Sequence, residues 1–64
     1  MNIEVKMMIK QLESTTKENM INELKKSECV DEEIQALVNE TINIIRNSSE
    51  KELITIKTEL LSVN

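Results

Sequence analysis

The 64-residue chain contains no glycine, no proline, no histidine and no phenylalanine, tyrosine or tryptophan, and a single cysteine, Cys29. Each absence removes a class of chemistry. Without glycine there is no flexible loop to cradle a phosphate group. Without histidine there is no general base with an ordinary pKa near neutrality, and no Cys/His metal site. One cysteine leaves no disulfide within the chain. Without aromatic residues a core loses its largest contributors of buried area. Without proline or glycine the ends of secondary structure must be set by polar caps alone.

These absences bear on stability as well. A chain of 64 residues makes one domain, here taken as 1–64, and leaves much of its surface exposed, so its stability is expected to be small. Small domains commonly add disulfides, a metal or a partner chain. The first two are missing here, which leaves a partner chain, and a homodimer is expected on that ground.

What is present is helical. The apolar residues Ile34, Leu37, Val38, Ile42 and Ile45 recur at i, i+3, i+4, i+8 and i+11, with Thr41 in the remaining slot and Ile44 just off the line. That spacing is one face of a helix, and the rest of the chain is expected to pack on it. Ahead of it, Asn2 to Glu13 carries Val5, Met8, Ile9 and Leu12 on one stripe, with Ile3 and Met7 as a second patch. Ser14-Thr15-Thr16 then breaks the pattern, and Thr15 with Glu18 fits a capping box for a second helix carrying Met20, Ile21 and Leu24 to about Ser27.

Lys25 and Lys26 suit the end of that helix, and residues Ser27 to Asp31 form the turn, with Val30 as an apolar plug and Glu28 or Cys29 where glycine would often stand. Asp31 is a good N-cap for the central helix, whose first turn holds Glu32 and Glu33. Ser49 with Glu52 makes a second capping box, and the last helix is expected from Glu50 to about Ser62, with Leu53, Ile56, Leu60 and Val63 on a heptad-like stripe and Ile54 and Leu61 flanking it. No segment alternates over strand length. The fold expected is all-α: a small antiparallel bundle of four short helices, or three if the first two fuse into one long helix.

The formal net charge is −4, and it is uneven: residues 1–30 hold five lysines and five glutamates, so the whole deficit lies in residues 31–64. Such a field repels nucleic acid and anionic membranes, and equally serves ordinary solubility. A helix–turn–helix reading of Lys17–Ser27 and Glu32–Arg46 would place Asp31, Glu32 and Glu33 in the major groove, with Arg46 the only cation of that helix and at its far end. The electrostatic attraction that drives DNA binding is missing there. The N-terminus is interrupted by Glu4, Lys6 and Lys10, so it lacks the apolar run of a signal peptide, and no stretch approaches a membrane span. With one free thiol, the cytoplasm is the expected compartment. Usage rich in Ile, Asn, Lys and Glu hints at a low-GC bacterium or its phage.

Enzyme chemistry fails on inventory. The acids are one Asp and eleven Glu, and pairs such as Glu32 with Glu33 sit at helix starts, where the backbone dipole favours them. No catalytic residue, metal site or cofactor is expected. Cys29 lies among Glu28, Asp31, Glu32 and Glu33, whose charge raises a thiol pKa, and it reads best as a small apolar residue in a turn.

Protein–protein interaction remains. Three methionines, Met1, Met7 and Met8, fall in the first eight residues, and methionine adapts to partner surfaces. The interface candidates are Ile3, Met7 and Met8 near the N-terminus and Leu53, Ile54, Leu60 and Leu61 near the C-terminus. The function expected is a small acidic interaction module, a regulator, inhibitor or adaptor. A helix–turn–helix DNA-binding regulator and a purely structural oligomerisation module are the alternatives.

Overall fold

The computed structural model describes residues 2–27 and 31–59, which form four helices and, among those residues, no strand. They are α1 (Ile3–Gln11), α2 (Lys17–Lys26), α3 (Glu32–Asn47) and α4 (Glu50–Thr58). The break between the first two helices is real, so the arrangement is the four-helix one.

Every helix starts on a polar side chain that takes a free backbone N–H. Asn2 accepts from the Glu4 N–H at 3.0 Å, and Asp31 from the Glu33 N–H at 2.8 Å. Ser49 accepts from the Glu52 N–H at 3.1 Å and donates its hydroxyl to the Glu52 carboxylate at 3.3 Å. At α2 the cap differs from the sequence reading. Thr16, not Thr15, is the N-cap, and its Oγ1 accepts from the Asn19 N–H at 3.4 Å. The later start leaves Thr15 exposed in the connection and Glu18 in the first turn, where the helix dipole favours it.

The helix ends solve a harder problem, because no glycine is available to turn the chain left-handed. All four C-caps (Leu12, Ser27, Ser48 and Glu59) are extended instead, and no described residue has a positive φ. Side chains satisfy the carbonyls that this leaves over. Lys57 of α4 donates to the Leu12 carbonyl at the end of α1, and Lys10 of α1 donates to the Lys57 and Glu59 carbonyls at the end of α4. Lys17 of α2 reaches the Arg46 carbonyl near the end of α3 at 3.0 Å. The Ser48 hydroxyl donates back to the Ile44 carbonyl at 2.8 Å, and the Thr58 hydroxyl to the Ile54 carbonyl at 3.0 Å. This is also why α4 stops at Thr58 rather than near Ser62. The turn at residues 28–30, with Cys29 and Val30, lies outside the described residues, as do Leu60, Leu61 and Val63.

The helices pack around one core. Its buried members are Val5, Ile9 and Leu12 from α1 and its cap, Met20 and Leu24 from α2, Val38, Ile42 and Ile45 from α3, and Leu53 and Ile56 from α4. Met8, Ile21, Leu37 and Ile44 pack against it while partly exposed. Thr41, buried on the same face of α3, donates its hydroxyl to the Leu37 carbonyl at 2.7 Å, which removes the cost of enclosing an unpaired polar group. α1 lies against α4 and α3, and α2 lies against α3. The bond from Lys17 to the carbonyl near the far end of α3 makes α2 and α3 an antiparallel pair.

One member of the central stripe departs from expectation. Ile34 is 49% exposed. It lines an open cavity with Met8, Leu12 and Leu24, which leaves its side chain half in solvent.

Candidate interaction surface

α1 carries apolar residues on opposed sides. At 100° per residue, Ile3 and Met7 fall on the side of the helix away from Val5 and Ile9, which are fully buried. Ile3 is 59% exposed and Met7 47% exposed, one turn apart and therefore adjacent on the surface. Between this pair and the core side run Lys6 and Lys10, both committed to the end of α4: Lys6 meets the Glu59 carboxylate at 3.5 Å, and Lys10 bonds the carbonyls already described. The exposed pair is thus held on a helix whose orientation is fixed from the other side.

The remaining candidates divide. Met8 is partly buried against the core. Leu53 is fully buried within this single chain, so its side chain belongs to the core and offers no free surface. Ile54, its neighbour, is 47% exposed on α4. Leu60 and Leu61 lie outside the described residues. Sequence reasoning missed Ile34, which it placed in the core and which is a further exposed large apolar side chain. A signal for it was present: Ile34 is only the third residue of its helix, where neighbouring helices rarely reach.

One polar cluster outside the sequence reading orders the connection between α1 and α2. The Glu23 carboxylate accepts three hydrogen bonds: from the Glu13 N–H at 3.1 Å, the Ser14 N–H at 3.2 Å and the Ser14 hydroxyl at 2.8 Å. The Glu13 N–H, followed by the Ser14 hydroxyl and N–H and the nearby Lys57 charge, holds the Glu23 pKa below its ordinary value, against a smaller opposing effect of burial. The cluster is a structural clamp. Its three donors are all engaged with Glu23.

The acids at the start of α3, Asp31, Glu32 and Glu33, are exposed and serve the cap and the helix dipole. Among the described residues no group of His, Cys, Asp or Glu could hold a metal ion, and no helix is long and apolar enough to cross a membrane. Compared with known proteins, the chain matches no family model, no curated protein and no solved structure.

Proposed function

We propose that this chain is a small acidic protein–protein interaction module, a regulator, inhibitor or adaptor that acts by occupying the surface of a partner protein. The observation that carries the reading is the Ile3–Met7 pair: two large apolar side chains, exposed side by side, on a helix that buries its other face. A scattered exposed leucine or isoleucine is ordinary; an adjacent pair on one rigid face is a place where a second surface gains by docking. Methionine in that pair adapts to the shape of what it meets. The proposal includes self-association. A chain of 64 residues without aromatics, disulfide or metal has a thin margin of stability, and a second copy across α1 would add buried area. The proposed compartment is the cytoplasm, on the single cysteine.

The test is the mass of the purified full chain by light scattering, in reductant, for the parent and for Met7→Glu and Ile54→Glu. A dimer that Met7→Glu converts to the 7.4 kDa monomer supports a seam at α1. A dimer broken only by Ile54→Glu moves the seam to α4. A monomer at every concentration overturns self-association, and the Ile3–Met7 pair is then left to a different protein.

A further inference from the structure

The antiparallel α2–α3 pair encloses a groove of about 490 Å³ whose chemistry is opposite to that of the molecule as a whole. It is lined by Leu24, Val38 and Ile42 at its floor, by Lys25 and Arg46, and by the side-chain amides of Gln35, Asn39 and Asn43, with Ser27 at one end. Among the described residues no carboxylate lines it, although the chain carries twelve acids and a net charge of −4. Glu32 and Glu40 stand on α3 but outside the lining. The two cations are both exposed. They are also well separated. Lys17 bonds the Arg46 carbonyl, which sets the Arg46 backbone near the start of α2, and Lys25 stands eight residues along that helix from Lys17, about 12 Å.

We propose that this α2–α3 groove is a docking site for an acidic amphipathic helix of a partner protein. Charge complementarity selects that occupant: two cations, neutral amides between them and an apolar floor match a helix with carboxylates near its two ends and a narrow apolar row between. The spacing adds a requirement. Carboxylates that meet both Lys25 and Arg46 stand seven or eight residues apart on one face of the docking helix. A basic helix is repelled by the same lining. The groove is a different surface from the Ile3–Met7 pair, so each can fail without the other.

The experiment is an amide-resolved NMR titration of the full chain with a synthetic helix of about four turns, built on alanine with leucine along one face and glutamates seven residues apart on that face, against a control in which lysines replace the glutamates. The expected result is saturable shifts at Gln35, Asn39 and Asn43 with the acidic probe and none with the basic one. Lys25→Glu with Arg46→Glu weakens binding about tenfold or more, on the scale of two exposed ion pairs turned into repulsions. Ile3→Glu with Met7→Glu leaves it unchanged. Lys25→Ala with Arg46→Ala, which introduces no new charge, weakens binding by a smaller factor in the same direction and serves if the charge reversal unfolds the chain. The proposal is overturned if the acidic probe causes no saturable shift, if both probes bind equally, if the shifts fall on Ile3 and Met7, or if the same groove amides respond to a second copy of the chain alone.

Discussion

Glu23 shows how one side chain substitutes for backbone rules that this sequence cannot use. The connection after α1 has no glycine or proline to set its path, and its first two N–H groups point at a carboxylate on the next helix. Three donors on one carboxylate favour its charged form, which is why the Glu23 pKa is lowered. A depressed folded-state pKa contributes stability that is present above the unfolded value, near pH 4.3, and is lost as pH falls through the folded value. Glu23→Ala is therefore expected to lower the melting temperature at pH 7 and to free residues 13 and 14 for faster amide exchange. The gap between parent and variant should narrow as the pH falls below about 4. A gap that stays constant down to pH 2 would show that the carboxylate's charge has no part in the clamp. In the core, Ile45 and Leu53 are fully enclosed, and truncating either to alanine leaves a cavity costing about 2–5 kcal/mol. For a chain of this size that is a large part of the whole stability. Denaturant titration should find Ile45→Ala largely unfolded in water, whereas Ile54→Ala, at an exposed site beside Leu53, stays near the parent.

At the scale of the helices, the starts and the ends of α2 and α3 were readable, whereas α1 and α4 stop short of the apolar pattern. A serine, threonine, aspartate or asparagine ahead of an acidic first turn is a local signal, and Asp31 and Ser49 take the N-cap position that the sequence indicates, while Asn2, read as the start of the first helix, proves to be its cap. The one error, Thr15 for Thr16, arose because two adjacent threonines offer the same hydroxyl and the sequence does not say which is extended. The pair gives a direct test: Thr16→Ala should destabilise by about 1 kcal/mol in thermal or denaturant unfolding and Thr15→Ala by a few tenths at most. Equal losses would move the cap back. The ends of α1 and α4 depend on residues far away in sequence. Lys10 and Lys57 each cap the other's helix across 45 or more positions, and no periodicity points to that exchange. Replacing Lys57 by methionine keeps the aliphatic stem and removes the donor. It should fray the end of α1, read as loss of amide protection at Ile9 and Leu12 while α3 keeps its own.

For the molecule as a whole, the question is whether one chain is enough. Among the described residues the core holds ten buried apolar side chains, none of them aromatic, and four further large ones, Ile3, Met7, Ile34 and Ile54, are exposed. If a second copy covers any of these, the melting temperature rises with protein concentration, because association favours the folded state by mass action. A melting temperature that is flat over a hundredfold range of concentration would rule out a stabilising dimer. Several features of the fold were legible beforehand. The stripe Val5, Ile9, Leu12 and the stripe Leu37, Val38, Thr41, Ile42, Ile45 do face the core, because helical spacing fixes which residues share a face whatever lies opposite. Leu53 and Ile54 mark the limit of that reasoning. Both are surface candidates by sequence, yet one is buried and the other exposed, since adjacent residues on a helix point about 100° apart and the placement of the neighbouring helices decides which one is covered.

By itself the sequence determined that this chain is helical, where its helices begin to within a residue, where α2 and α3 end, and which faces are apolar. These follow from residue type and spacing, which act within a turn or two of helix. Tertiary structure decided the rest. It set the lysine exchange that ends α1 and α4, the Glu23 clamp, the exposure of Ile34, and the collection of Lys25 and Arg46 into one groove that no carboxylate lines among the described residues. Each of those depends on which helices lie side by side. That is settled by packing between segments distant in the chain, and no local pattern carries it.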